Sequence, residues 1–212
     1  DFLNNFKYLD KSKKEKFVSQ IFSNVADNYD FMNDVMSFGL HRSWKRKMIS
    51  LMKINPSSVV LDLASGSGDL ASLVKKKSNC NCIIYDANTD MLKKAKKKME
   101  DGIFIAGKAE NLPFKNNIFD YVVVAFGLRN FSDMNKALIE IRRVLKKGGV
   151  LLSLEFSDIN SNILKKLFYF YGKFIPKYAG LLLNKKLAYE YLIESIKQFP
   201  DQIELSRKLK KK

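Results

Sequence analysis

The chain has 212 residues, 46% of them hydrophobic, and a formal net charge of +16 from 38 Lys and Arg against 22 Asp and Glu. This length supports one complete hydrophobic core and is short for two domains, so we predict a single domain. The charge favours anionic partners in general, but the lysines cluster in runs such as 75–77 and 93–98. We interpret these runs as solvated helix faces and expect no nucleic-acid partner.

The chain has two cysteines, Cys80 and Cys82, and one histidine, His41. This set is too small for a disulfide framework or a Cys/His zinc site, so we predict no metal and a reducing compartment. The most apolar late segment, 167–183, is interrupted by lysines and a proline. No run in the sequence has the length that a membrane-spanning helix needs.

The segments before Val59 have apolar residues at three- and four-residue steps, including Phe17 and Ile21, which predicts helices. After them we predict strands at 59–64, 82–85, 103–106, 120–126 and 149–155, and helices at 69–77, 89–99 and 133–146. The last of these helices is predicted to end in lysines, with Gly148 and Gly149 just past it. From 164 to 174 and from 187 to 199 the pattern is again helical. The alternation predicts an open, doubly wound α/β sheet of parallel strands with right-handed crossovers.

The turn after the first strand lies in the segment VVLDLASGSGDL, residues 59–70, which sets an apolar run against Gly66 and Gly68. In a doubly wound sheet this first strand-to-helix turn makes the closest backbone approach to a ligand. Asp86 ends the next predicted strand, where its carboxylate could accept hydrogen bonds from both hydroxyls of a ribose. Together these features indicate a nucleoside cofactor, whereas the glycines alone are also typical of a tight turn.

Two nucleoside cofactors compete for this turn. Gly66, Gly68 and Ala71 match the dinucleotide fingerprint, which places a pyrophosphate at the helix N-terminus. Asp62 and Asp69 would repel a pyrophosphate but suit the ammonium and sulfonium charges of S-adenosylmethionine. We therefore favour S-adenosylmethionine, with Asp62 toward its amino-acid end. Asp69 is also explained as a helix N-terminal charge that the helix macrodipole favours.

Six segments between Phe17 and Gln202 carry a family resemblance. They are FVSQIFSNVADNYDFMNDVMSFGLHRSWKRK, LDLASGSGDL, YDANTDML, AENLPFKNNIFDYVVVAFGLRNFSD, RRVLKKGGVLLSLEFS and YLIESIKQFPDQ. These segments resemble the UbiE-type C-methyltransferases of ubiquinone and menaquinone biosynthesis. The resemblance implies a class I, Rossmann-like S-adenosylmethionine-dependent methyltransferase fold, and methyl transfer to a ring carbon of a polyprenylated benzoquinol or naphthoquinol. Within the single domain we expect a helical cap at 1–55, a cofactor-binding core at 56–156 and a helical substrate-side segment at 157–212.

The resemblance also implies cofactor contacts at Ser67, Asp86, the pair Lys108 and Ala109 after the third strand, and Ala125 at the end of the fourth. Lys108 departs from the Asp or Asn usual there. An ammonium only donates hydrogen bonds, so it cannot accept one from the adenine amine. The backbone amide of Ala109 can still serve adenine.

Methylation of a ring carbon needs a deprotonated quinol hydroxyl, whose charge spreads to the neighbouring carbon, and groups that hold the ring and that charge. Arg129 and Asn130 follow the fourth strand and are expected beside the substrate. We predict that Arg129 stabilises the phenolate and orients a water that takes the proton, because a guanidinium is a poor base. The alternative is that Arg129 only pairs with a carboxylate. The resemblance adds Tyr29 to the substrate side, although a packing role fits this residue equally, and His41 is left out as a packing histidine.

The family fold ends in an antiparallel hairpin beside the fifth strand, and this sequence stops before it, so strand 149–155 is expected to present an unpaired edge. A fragment, pairing with another subunit and degeneration each explain this, and we favour a fragment. The partners to consider are the polyprenyl quinol substrate, a homodimer or a quinone-biosynthesis complex, and an acidic membrane surface. The aromatic and basic segment 168–177 would contact that surface, or pack as a helix over the site. The expected location is the bacterial cytoplasm, or the matrix side of the mitochondrial inner membrane in a eukaryote.

Three other functions compete with this interpretation. A nucleic-acid methyltransferase is disfavoured on two grounds. Base-amine methylation uses an Asn/Asp-Pro-Pro-aromatic turn after the fourth strand, and this sequence has AFGLRN there. Ring-carbon methylation of cytosine uses a cysteine nucleophile, and both cysteines lie away from the fourth strand. A nicotinamide-dependent oxidoreductase is disfavoured by the two carboxylates at the glycine turn. A truncated, non-catalytic scaffold subunit differs from the enzyme in that it need not bind S-adenosylmethionine.

Overall fold

The computed structural model describes residues 11–99, 101–156 and 186–210. Their helices and strands are, in chain order, α1 (Lys11–Val25), α2 (Tyr29–Ser37), α3 (Leu40–Ser50), β1 (Val59–Leu63), α4 (Asp69–Lys77), β2 (Asn81–Asp86), α5 (Thr89–Lys98), β3 (Ile103–Ala106), β4 (Phe119–Ala125), α6 (Met134–Val144), β5 (Leu145–Leu154), α7 (Lys186–Gln198) and α8 (Gln202–Lys210). Short 3-10 helices at Ala26–Asn28 and Leu128–Asn130 precede α2 and follow β4.

The five described strands form one parallel sheet in the order β3-β2-β1-β4-β5. The chain runs outward from β1 to β3 and then returns to the other side of β1, so the strand order reverses between β1 and β4. Right-handed crossovers place α4 and α5 on one face of the sheet and α6 on the other. The predicted doubly wound sheet is therefore confirmed, and its ligand crevice lies at the carboxyl ends of β1 and β4.

An apolar cluster fills the face of the sheet that α3, α4 and α5 cover. It includes Met48 of α3, Val74 of α4 and Ile84 of β2, and both cysteines lie in it. Cys80 and Cys82 are free thiols, and burial raises the pKa of each. The cysteines are core residues because a poorly ionised, buried thiol packs as a small apolar group.

The junction of α6 and β5 differs from the prediction. Helix α6 ends at Val144 and β5 begins at Leu145, so the predicted helix end at 146 is wrong. Lys146 and the glycine pair 148–149 lie inside β5, where the register against β4 shifts. Gly148 has a φ of +81°, which a residue without a Cβ adopts readily. The glycines therefore form an irregularity in a strand, and they do not cap a helix.

The remaining predicted elements match the structure to within a few residues at their ends. Helix α7 confirms the helical pattern at 187–199, whereas the predicted helix at 164–174 and the aromatic segment 168–177 lie outside the described residues. Strand β5 pairs with β4 alone among the described strands. None of the helices in the described ranges is long and apolar enough to cross a membrane.

The chain divides into two compact units. One contains residues 40–155, with α3, the whole sheet and helices α4 to α6. The other contains α1, α2, α7 and α8, and within it the ring of Phe17 meets Tyr191 edge to face with centroids 6.0 Å apart. Helix α3, which we expected in an N-terminal cap, belongs to the first unit. The single domain and its internal boundaries stay predictions.

Candidate functional site

The carboxyl edge of the sheet carries the predicted cofactor residues. Asp62 lies in β1, the turn with Gly66, Ser67 and Gly68 follows it, Asp86 ends β2, Lys108 and Ala109 follow β3, and Ala125 ends β4. Arg129 and Asn130 lie in the 3-10 helix after β4. Because the carboxyl ends of parallel strands lie at the same edge, the fold gathers these residues at one end of the sheet.

Tyr29 is the first residue of α2, in the unit formed by α1, α2, α7 and α8. Within that unit its ring centroid lies 6.0 Å from that of Phe22, so the tyrosine has at least one aromatic packing neighbour. Its predicted place beside the substrate stays a prediction.

The glycine turn has the backbone conformation that glycine permits. Gly66 and Gly68 have φ values of +56° and +80°, in the left-handed region. A Cβ on Gly68 would also lie 3.0 Å from the Cβ of Ala95 on α5. Ala64, just before the turn, is left-handed as well at φ +54°, and such strain in a non-glycine residue is typical of functional sites.

Asp86 ties the tip of β2 to the glycine turn. Its Oδ2 accepts a hydrogen bond from the backbone N–H of Gly66 at 2.8 Å, and its Oδ1 accepts one from the N–H of Asn88 at 2.8 Å. Burial raises the pKa of this carboxyl, and the backbone donors oppose that rise. Each carboxylate oxygen has a further lone pair, so Asp86 can hold the turn and still accept ribose hydroxyls.

Asp62 is fully buried. Its Oδ2 accepts a hydrogen bond from the backbone N–H of Ala71 at 2.9 Å, while its Oδ1 has no hydrogen-bond partner among the described residues. Burial raises the pKa of Asp62 to about 8, against the opposing effects of the Ala71 bond and of the charge on Lys45. A buried oxygen without a partner is costly, and a ligand ammonium beside Asp62 would satisfy it.

Asp69 begins α4 and pairs with two lysines. Lys45 Nζ lies 2.8 Å from its Oδ2, and Lys98 Nζ lies 2.9 Å from its Oδ1. Burial opposes the ionisation of Asp69, but the charges and hydrogen bonds of both lysines outweigh it and hold the pKa well below the ordinary value. Asp69 is the first residue of α4, as predicted for a charge at a helix N-terminus. The expected repulsion of a pyrophosphate does not follow, because Lys45 and Lys98 neutralise this carboxylate.

The end of β4 is also strained. Phe126 has a φ of +58°, and a Cβ on Gly127 would lie 2.7 Å from the Cβ of Ala64 in the opposing turn. Asn130 Nδ2 donates a hydrogen bond to the carbonyl of Phe126 at 3.1 Å. Asn130 thus supports the left-handed turn, and its predicted contact with substrate stays a prediction. The two strained turns, after β1 and after β4, meet where the strand order reverses.

Arg129 forms a buried ion pair that the sequence did not assign. Its Nη1 lies 2.6 Å from Oε2 of Glu155, and the two side chains are 3% and 4% exposed. Burial raises the pKa of Glu155, and the charge of Arg129 opposes the rise. Arg129 does pair with a carboxylate, but whether pairing is its only role is untested, so both its predicted role toward the substrate and the alternative stay predictions. The only sequence signal for Glu155 is an acidic residue that directly follows the apolar strand β5.

The turn after β3 is held to the neighbouring strand by hydrogen bonds of its backbone groups. The hydroxyl of Tyr85 donates a hydrogen bond to the carbonyl of Lys108 at 3.2 Å, the Lys108 side chain is exposed, and Ala109 is buried. Gly107, which the sequence did not single out, donates its N–H to the carbonyl of Asp86 at 3.0 Å, and a Cβ at this position would overlap the Tyr85 hydroxyl. An adenine contact through the backbone of Ala109 fits this arrangement better than one through Lys108.

The strand order, the glycine turn and the acidic tip of β2 fit the class I methyltransferase fold. The model of the ubiE/COQ5 methyltransferase family matches residues 9–212, and the chain belongs to this family. The ubiquinone/menaquinone biosynthesis C-methyltransferase UbiE of Rickettsia prowazekii is 47% identical over 209 residues, which are 93% of this chain and 84% of that protein. The UbiE protein of Rickettsia bellii is 45% identical over 211 residues, which are 94% of this chain and 85% of its own length.

Solved structures agree on the fold. A methyltransferase from Thermotoga maritima that depends on S-adenosylmethionine superposes with a TM-score of 0.66 at 21% identity, over 91% of this chain and 79% of its own. The YcgJ protein of Bacillus subtilis gives a TM-score of 0.51 at 29% identity, over 58% of this chain and 55% of its own. The chain is a methyltransferase whose cofactor is S-adenosylmethionine.

Proposed function

We propose that this protein transfers a methyl group from S-adenosylmethionine to a ring carbon of a polyprenylated benzoquinol or naphthoquinol, in ubiquinone or menaquinone biosynthesis. The Rickettsia relatives, which are named for this reaction, support the proposal. The observation in the structure that carries it is the buried Arg129–Glu155 pair beside the cofactor edge. Since these relatives are bacterial, we place the reaction in the bacterial cytoplasm, at the membrane surface that a polyprenyl tail requires.

The residues at the carboxyl edge fit this cofactor. Asp86 would accept the ribose hydroxyls, the backbone of the turn from Gly66 to Gly68 would lie against the ligand, and the backbone of Ala109 would serve adenine. The unpartnered Oδ1 of Asp62 suits the α-ammonium group. S-adenosylmethionine supplies an electrophilic methyl group on its sulfonium.

The Arg129–Glu155 pair provides the two groups that activation of a quinol needs. A carboxylate whose pKa is raised by burial is a better base than an exposed one, so Glu155 would take the hydroxyl proton, directly or through a water. Once Glu155 is neutral, the charge of Arg129 is no longer cancelled and stabilises the phenolate. The ring carbon would then take the methyl group as the methyl–sulfur bond breaks and S-adenosylhomocysteine leaves. The proton on that carbon would pass to water to restore the aromatic ring, and Glu155 would return its proton to the phenolate oxygen. Arg129 thus stabilises charge and Glu155 moves the proton.

The test is a methyl-transfer assay with the reduced forms of short-tailed demethylmenaquinone and of a demethylated ubiquinone precursor, supplied with methyl-labelled S-adenosylmethionine. We expect mass spectrometry to find the label on a ring carbon of at least one product. Arg129→Ala should lower kcat by about 10²- to 10³-fold, the usual effect of removing a group that stabilises transition-state charge. Its affinity for S-adenosylhomocysteine should stay at the wild-type value. No labelled quinol, or near-wild-type turnover by Arg129→Ala, would contradict the proposal.

A further inference from the structure

We propose that Lys45 binds the α-carboxylate of S-adenosylmethionine and so forms the cationic half of a clamp on its amino-acid end, with Asp62 as the anionic half. The inference rests on the cofactor assignment and does not depend on which quinol is methylated. Lys45 lies on α3, outside the glycine turn and outside every segment that the sequence singled out for cofactor binding.

Lys45 carries a deeply buried ammonium. Its side chain is 7% exposed, its Nζ lies 2.8 Å from Asp69 Oδ2, and it lies 5.9 Å from the centroid of the Phe126 ring. An ammonium has three N–H donors, and Asp69 is its one hydrogen-bond partner among the described residues. Taking a cation out of water is costly unless its donors are satisfied. An acceptor supplied by a ligand would satisfy the remaining donors.

The positive charges around Lys45 also favour an anionic ligand group. Lys45 and Lys98 both place their ammonium groups on the single carboxylate of Asp69, at the N-terminus of α4. The partial positive charge of the helix N-terminus adds to the charges of the two lysines. Asp62 lies near enough for the charge of Lys45 to lower its pKa. The two buried groups therefore lie side by side, and once a ligand ammonium favours the ionised form of Asp62 they present opposite charges to the zwitterionic end of the cofactor.

A purely structural role for Lys45, as a tie between α3 and α4, is weakly motivated. Lys77 of α4 already makes that tie, because its Nζ donates hydrogen bonds to the carbonyls of Ile49, Ser50 and Met52 at the end of α3. Lys98 is the other cation on Asp69, but its side chain is 35% exposed, so solvent screens it more strongly. Lys45 is thus the buried cation best placed to recognise a carboxylate.

The experiment compares three ligands by isothermal titration calorimetry. S-adenosylhomocysteine has both the ammonium and the carboxylate, its decarboxylated form keeps only the ammonium, and 5′-methylthioadenosine has neither. We expect Lys45→Met to weaken S-adenosylhomocysteine binding by about 10- to 100-fold, the usual size of a hydrogen bond to a charged group. The same variant should bind the two ligands without a carboxylate within about threefold of the wild-type affinity.

Lys98→Met is the matched control, because it removes the other cation on Asp69 and should not remove the preference for a carboxylate. Lys45→Gln keeps a polar donor for Asp69, and it serves if thermal denaturation shows that Lys45→Met does not fold. An equal loss for all three ligands would overturn the proposal in favour of a positioning role through Asp69. The same selective loss in Lys98→Met, or unchanged binding in Lys45→Met, would also overturn it. A wild-type protein that binds none of the three would overturn the cofactor assignment as well.

Discussion

The two halves of the carboxyl edge are built in different ways. At β1 and β2, the carboxylates of Asp62 and Asp86 accept hydrogen bonds from backbone N–H groups, so the chain itself fixes the cofactor turn. Just past β4 and β5, a buried side-chain pair, Arg129 with Glu155, joins the ends of the two strands. A site held by backbone hydrogen bonds depends on few side chains. A buried ion pair depends on both partners, because removal of either leaves the other charge buried and unpaired.

The largest expected effect comes from breaking the charge pair. Glu155→Ala leaves the charge of Arg129 buried without its partner and should lower the free energy of unfolding by about 3–5 kcal/mol. Urea denaturation measures this loss. The double variant Arg129→Met with Glu155→Leu is the control, since it removes both charges and should recover most of the stability. A loss below about 1 kcal/mol in Glu155→Ala would show that this half of the edge does not depend on the pair.

A smaller effect is expected at the backbone-built half. Gly68→Ala forces a Cβ into a left-handed residue and against Ala95, which should cost about 1–2 kcal/mol and also weaken S-adenosylhomocysteine binding. Gly148→Ala is the matched control, because Gly148 has a φ of +81° and its Cβ would meet nothing within 4 Å. It should lose similar stability in denaturation experiments and keep its affinity in calorimetry. Equal losses of affinity in both variants would contradict a special role for the glycine turn.

The fold at this half was predictable because its signals are local. The glycines, the acidic end of β2 and the alternation of strands and helices each lie within a short stretch of sequence. Glu155 was missed because its partner is 26 residues away, and Lys45 because its partner Asp69 is 24 residues away. Such pairs depend on which strands and helices become neighbours. The β5 irregularity was missed because a glycine pair after a basic segment is typical of a helix end as well.

The pH dependence of stability tests the burial of Asp62. The folded-state pKa is raised from 3.8 to about 8, so the folded protein keeps a proton that the unfolded chain loses. The resulting stability is fully present below about pH 4 and is lost as the pH rises toward 8, by at most about 1.4 kcal/mol per pH unit. Asp62→Asn can still accept the Ala71 bond and should flatten this slope in urea denaturation of the ligand-free protein between pH 5 and 8. If the free energy of unfolding fell equally steeply with pH in the wild type and in Asp62→Asn, the raised pKa of Asp62 would be contradicted.

The smallest effect is expected at the N-terminus of α5, next to the cofactor edge. The side chain of Asn88 accepts hydrogen bonds from the N–H groups of Asp90 and Met91. Asn88→Ala removes this cap and should lower the free energy of unfolding by about 1 kcal/mol. Its backbone N–H still reaches Asp86, so cofactor affinity should change little. Asn88→Ser, which restores a capping oxygen, should recover most of the stability in thermal denaturation.

The central claim is that the carboxyl edge of β1 and β2 binds S-adenosylmethionine through Asp86 and the glycine turn. The most direct measurement is calorimetric titration of the wild-type protein and Asp86→Ala with S-adenosylhomocysteine and, separately, with NADH. We predict micromolar binding of S-adenosylhomocysteine by the wild type, a loss of at least tenfold in Asp86→Ala, and no binding of NADH by either protein. Binding of NADH in preference to S-adenosylhomocysteine, or unchanged affinity in Asp86→Ala, would contradict the account.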